Sequence, residues 1–263
     1  MTLVRHELRQ SWKSLMIWTL SIAFFLLTVI FVFPLMRDSM MGAIEGMYAS
    51  MDSGLMNAFS VDVSSITTLK GYYLMECTSI LGLGGALFAA LTGIAVLARE
   101  EKNGTAEFLL THPVTRTNVA AQKLVSVVIR IVVMNLAVLL LSVVSIAAIG
   151  EPVPWKELLL MHLACLILQL EIGCVCFGLS AFMSRGSLGV GLGLAIGLYF
   201  LNILANLTDS LSFLKYVTPF SYIEGSEIIK AGGLQPVYIA IGLAFAAAGA
   251  VLGLMKYSRK DIR

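Results

Sequence analysis

Three charged residues, Glu76, Arg130 and Glu171, interrupt stretches of sequence that are otherwise apolar. Glu171 is the most unusual of them. It lies 12 residues before Met183, where its stretch ends, which is about 18 Å of helix. A carboxylate that deep in a bilayer is costly and faces a bundle interior or a water-filled cavity. Two roles fit it: a gate or transport-path group, or a protonated or hydrogen-bonded packing carboxylate. Arg130 is a tempting partner, but it enters its own stretch by only six residues, about 9 Å, so a direct pair is not expected. Glu76, near the outer end of its stretch, can reach water and is a second candidate for a transport path.

No catalytic constellation accompanies these charges. There is no His-Glu-x-x-His zinc pattern, no Gly-x-Ser-x-Gly elbow, no Walker A loop and no dinucleotide fingerprint. His6 and His112 fall in or beside loops, and His162 falls near the outer end of the fourth apolar stretch. The four cysteines, Cys77, Cys165, Cys174 and Cys176, all sit in apolar runs, which argues against a disulfide framework. Cys174 and Cys176 are two apart and would point in different directions on a helix, so packing suits them better than a metal pair. An intramembrane enzyme is therefore a poor reading. The energy for any transport must come from a partner or an ion gradient.

The elements that would hold these residues are apolar helices. Hydrophobic residues make up 58% of the chain and charged residues 13%, with a mean hydropathy of +0.89. A soluble domain carries about 25% charge, so a water-facing exterior cannot be built here. A net charge of +2 gives no reason to expect a nucleic-acid partner. Six apolar stretches appear, at about 16–35, 71–98, 124–149, 158–183, 187–207 and 237–255. Each is long enough for a bilayer, which needs about 20 residues. With no internal repeat and no low-complexity linker, residues 1–263 read as a single transmembrane domain.

Lys and Arg divide unevenly between alternate connections. Twelve fall in the N-terminus, the second and fourth connections and the C-terminus; five (Arg37, Lys70, Lys156, Lys215 and Lys230) fall in the others. The positive-inside rule then puts both termini in the cytoplasm. The first stretch lacks a small-residue cleavage site and reads as a permanent anchor. Before it, Leu3, Val4, Leu8, Trp12 and Leu15 recur at helical spacing, with Arg5, Arg9 and Lys13 off the stripe. That pattern predicts an amphipathic interfacial helix ahead of a turn into the bilayer.

Two outer connections are long. In 37–70, Met40, Ile44, Met47, Met51 and Leu55 form a stripe. Thioether sulfur is a soft copper(I) ligand, but without a Cys or His the stripe reads as adaptable apolar filler. In 208–236, an apolar piece at 211–217 breaks at Thr218-Pro219, and a second helical piece at 220–230 ends at Gly232-Gly233. Such pieces can enter the outer leaflet only if packed against protein or kept near the interface. Gly189, Gly193 and Gly197 form a small-residue stripe on the fifth stretch, suited to close helix packing, within the chain or between subunits.

The connection between the second and third stretches is the most informative segment. It runs from Arg99 to Arg116, with Asn103-Gly104-Thr105 able to start a short helix and Glu107 at its positive end. Phe108, Leu109 and Leu110 supply an apolar face, Pro113 stops the helix, and Thr115 or Thr117 can cap the next one. An exposed apolar turn at a membrane surface suits docking into a partner's groove.

The run Glu-x-x-Gly-Thr-x-Glu-x-Leu-Leu-x-x-Pro-Val-Thr-Arg resembles the loop after the second span in permeases of type-2 ABC exporters. The matching positions are Glu101, Gly104, Thr105, Glu107, Leu109, Leu110, Pro113, Val114 and Arg116. The resemblance implies an all-α integral membrane protein: six transmembrane helices, an N-terminal interfacial helix, a cytoplasmic coupling helix between spans 2 and 3, and a broken helical segment before span 6. It also implies a cytoplasmic ABC ATPase in two copies, carrying the ATP and Mg, and a second permease copy or homologue. The chain itself would be no enzyme and hold no cofactor. The resemblance says little about cargo, since members move peptides, lipids, polysaccharides, ions and drugs. The leading reading is export of an amphipathic or hydrophobic solute, a peptide or drug favoured, across a prokaryotic cytoplasmic membrane. Two rivals stand beside it. One is a mechanical or signalling ABC permease acting on an outer partner; the other is an ion-coupled transporter, which would want more buried carboxylates and related halves.

Overall fold

The computed structural model describes residues 2–39, 42–43, 46–47, 50–52, 54, 56, 68–99, 115–183 and 187–260. Six helices among them are long and apolar enough to cross a membrane, and none of the described residues is in a strand. The first span is α1 (Thr2–Ser39). The second is α2 (Leu69–Cys77) and α3 (Gly84–Val96) joined by a π-helical turn, Thr78–Leu83. Then come α4 (Arg116–Ala148), α5 (Trp155–Ser180) and α6 (Leu188–Leu207). Two 3-10 turns (Asp209–Tyr216 and Pro219–Ile223) and the short α7 (Gly225–Ala231) lead to the last span, α8 (Pro236–Ser258).

Local chemistry sets several boundaries. The Thr68 hydroxyl accepts from the Gly71 amide at 3.2 Å and caps α2; Thr115 caps α4 through the Asn118 amide at 3.3 Å. Such caps satisfy helix-end amides that have no partner inside the helix. Gly232 ends α7 at φ 62, a left-handed turn that glycine adopts without steric cost, and Pro236 opens α8.

The first helix corrects one expectation. The expected turn into the bilayer is absent between Trp12 and Met16: α1 is continuous over 38 residues, about 57 Å at the helical rise. The inward face keeps only part of the apolar stripe of the sequence, Leu15 and the partly buried Leu3. Glu7, Ser11, Leu15 and Thr19, at steps of four, are buried, while Trp12 is exposed. Contacts to protein outweigh the amphipathic pattern in setting the face.

The bundle is organised around α5, which packs most extensively against α8 and α3, while α1 packs against α4. In lipid, helices associate by van der Waals contact, and small residues let backbones meet. A Cβ on Gly93 of α3 would lie 2.3 Å from the Gly173 carbonyl oxygen of α5, and one on Gly178 would lie 2.7 Å from the Gly249 oxygen of α8. These glycines are the contact points. The predicted stripe Gly189, Gly193 and Gly197 is not: all three are exposed, and a Cβ on Gly193 or Gly197 would meet nothing within 4 Å. Packing of that stripe within the chain is overturned; α6 turns Gly191 and Ala195 inward instead, Gly191 against Ile94 and Ala90.

The π-helical turn is held from the side. Gln169 of α5 donates from Nε2 to the Leu81 carbonyl at 3.1 Å, and Asn135 of α4 donates to Gln169 Oε1 at 2.7 Å. At the end far from the termini, Lys70 pairs with Glu157 at 3.2 Å and Arg37 with Glu151. The four cysteines are buried free thiols. Of the methionine stripe, Met40, Ile44 and Leu55 lie outside the described residues, and Met47 and Met51 are exposed.

Candidate functional site

Glu171 sits where the broken segment meets the bundle. The Pro219–Ile223 turn is anchored at Thr218, whose hydroxyl donates to the Leu198 carbonyl at 2.8 Å and accepts from the Phe220 amide. The Thr78 hydroxyl, in the π-helical turn, donates to the Ile223 carbonyl at 2.7 Å. This places Tyr222 against α5, where its phenol donates to Glu171 Oε2 at 2.8 Å. Glu171 is buried, and the same oxygen would lie 2.9 Å from a Cβ on Gly242, so glycine there makes room for the carboxylate. Burial, reinforced by the neighbouring carboxylate, pushes the Tyr222 phenol well above its ordinary range and keeps it a donor. The Tyr222 ring stacks on Tyr238 of α8 with centroids 5.7 Å apart.

The same broken segment carries a second buried carboxylate. Glu224 accepts from Asn206 at 2.6 Å and Asn202 at 3.3 Å, while the Ser221 hydroxyl donates to Asn202 Oδ1 at 2.9 Å. The broken segment is thus three short helices packed among α2, α5, α6 and α8, with its buried polar groups paired. Arg130 is elsewhere: it donates to Ser126 within α4 and to Ser11 of α1, in accord with the depth argument from sequence. Glu76 is half-buried on α2 and is not among the contacts of Glu171. His162, near the end of α5 far from the termini, shares a 2.8 Å hydrogen bond with the Tyr73 hydroxyl, which donates to Ser142 at 3.0 Å.

At the end carrying the termini, a polar clasp joins three helices. Lys123 of α4 and Glu7 of α1 are both removed from solvent, with Lys123 Nζ 2.7 Å from Glu7 Oε1 and 2.9 Å from the Val96 carbonyl that ends α3. Arg99 reaches Glu7 Oε2 at 3.4 Å. Arg116, at the start of α4, donates to the Lys260 carbonyl, and Lys260 Nζ donates to the Met183 carbonyl at 2.7 Å. The clasp brackets the 99–116 connection. Within that connection Glu101, Gly104, Thr105, Glu107, Phe108, Leu109, Leu110, Pro113 and Val114 lie outside the described residues.

The family described as ABC-2 family transporter protein matches residues 1–262, nearly the whole chain. The chain belongs to the ABC-2 transporter family. No curated protein matches it. Membership makes this ABC-2 chain a membrane-spanning transporter subunit that partners with an ABC ATPase.

Sequence reasoning missed the clasp. In the sequence Lys123 falls one residue before the third apolar run and reads as a loop charge, whereas α4 begins at Arg116 and carries Lys123 inside. Glu7 belongs to no motif in the sequence; its spacing of four from Ser11, and of eight from Leu15, is the available signal.

Proposed function

We propose that this ABC-2 chain is the permease of an exporter moving an amphipathic or hydrophobic solute, a peptide or drug, across a prokaryotic cytoplasmic membrane. ATP and Mg are handled by a separate ATPase in two copies, and a second permease copy or homologue completes the unit. Both termini lie in the cytoplasm, so the 99–116 connection faces the ATPase. Its residues Glu101 to Arg116 form the coupling element, with Phe108, Leu109 and Leu110 as the buried contact and Glu107 and Arg116 at the rim.

The observation that supports this most is the Glu7–Lys123–Val96 clasp, which ties both ends of the connection to α1. A push on the connection moves three spans together, which is what an ATP-driven rearrangement requires. Glu171 and Tyr222 lie along the path of that motion, linking α5 to the segment before α8, and Glu171 acts there as a gate. Glu76, half-buried on the second span, is a lesser path candidate. A mechanical permease acting on an outer partner is favoured by one observation, the two long outer connections at 37–70 and 208–236.

The test is ATP-dependent uptake of a labelled amphipathic peptide or hydrophobic dye by inside-out vesicles containing the permease and its ATPase. Uptake that needs both subunits and ATP supports export. ATP hydrolysis with no uptake across a panel of such solutes points to the mechanical reading.

A further inference from the structure

A cavity of about 310 Å³ opens beside the clasp, between α1, α3, α4 and the start of α6. Its walls divide by chemistry. Arg99 and Arg130 supply two guanidinium groups, and Gln10, Ser11, Ser14 and Thr92 add neutral polar groups. Phe88, Leu91 and Leu188 line the apolar remainder. Ser14 and Leu188 on its wall are exposed, and the next turns of α1 carry the exposed Ile17 and Leu20.

The charge here is unbalanced among the described residues. Glu7 is the carboxylate in contact with the cluster, and Lys123 takes it at 2.7 Å, with Arg99 sharing it only at 3.4 Å. Arg130, 3% exposed, directs its hydrogen bonds to Ser126 and Ser11, and the carboxylate close enough to act on its charge is Glu7, which Lys123 already holds. Buried cations are retained where something anionic compensates them. Guanidinium groups match the oxygens of phosphate, and neutral donors beside them suit its remaining acceptors. The volume is at the lower end of small-molecule pockets, about 300–1,000 Å³, so it suits a headgroup rather than a whole lipid.

We propose that this cavity binds the phosphate headgroup of an anionic phospholipid from the leaflet at the end carrying the termini. The phosphate sits between Arg99 and Arg130, and the acyl chains lie along Ile17 and Leu20 in the bilayer. The inference needs only membrane embedding and does not depend on what the exporter carries.

The test uses the full-length chain, purified in mild detergent and given phosphatidylglycerol and phosphatidylcholine in equal amounts, with retained lipid measured by native mass spectrometry. The wild type should retain phosphatidylglycerol preferentially. Arg130→Gln should lower that retention about tenfold or more, the scale of a charge-assisted hydrogen bond. Ser14→Trp, at the rim, should do the same by filling the cavity while leaving every charge in place, which guards against a misfolded arginine variant. Lys256→Gln, an exposed cation at the same end, should leave retention unchanged. Equal retention of the two lipids, or a loss in Lys256→Gln matching that in Arg130→Gln, overturns the site. Binding of inorganic phosphate with no lipid preference overturns the lipid assignment.

Discussion

Lys123 Nζ lies 2.7 Å from Glu7 Oε1, and both side chains are withdrawn from solvent although they are 116 residues apart. Removing one partner leaves the other charge buried and uncompensated, which typically costs about 3–5 kcal/mol. Lys123→Met and Glu7→Leu alone should each lower the thermal unfolding temperature of the purified protein clearly, and the double variant should recover much of the loss. Single variants as stable as wild type would show that the pair is not held as described.

The Glu171 pair separates two kinds of effect. Tyr222→Phe removes the phenol that donates to the carboxylate, and leaving a buried acceptor unsatisfied costs about 1–3 kcal/mol. Glu171→Gln keeps an acceptor oxygen, so assembly should be intact while transport or substrate-stimulated ATP hydrolysis changes. Unchanged activity in both assays would return Glu171 to a packing role.

Glycine contacts give a stability contrast. Gly93→Ala would put a Cβ 2.3 Å from the Gly173 carbonyl oxygen, whereas Gly197→Ala meets nothing within 4 Å. Overpacking costs about 1–3 kcal/mol, so Gly93→Ala should lower the unfolding temperature and Gly197→Ala should not. Equal effects would contradict the assigned packing faces.

These contrasts mark what a sequence carries. Six spans were legible because lipid demands long apolar helices, and Thr115 as a cap and Pro236 as a start are local signals. That Arg130 does not pair directly with Glu171 follows from helical rise alone. Which glycines touch was not legible, because Gly93, Gly173 and Gly249 look no different from Gly193 and Gly197 until the neighbouring helix is placed. Likewise Tyr222 finds Glu171 across 51 residues through a broken segment whose fold depends on packing against four helices.

Orientation has a direct check. The excess of Lys and Arg on the side of the termini predicts that cysteines placed at Ser53 and Ser226 react with an impermeant reagent from outside intact cells, and that one at Thr111 does not. Labelling of Thr111 from outside would reverse the topology and remove the basis for an ATPase contact there.

The central claim is that the connection bracketed by Arg99 and Arg116 couples this permease to its ATPase, and co-purification tests it most directly. Removing a well-buried leucine costs about 2–5 kcal/mol, enough to weaken such a contact severely. Leu109→Ala with Leu110→Ala should therefore leave the permease inserted in the membrane while the ATPase recovered with it falls sharply. Glu107→Ala or Arg116→Ala alone should do less, as rim contacts. Full recovery of the ATPase with the double variant, together with normal transport, would contradict the account.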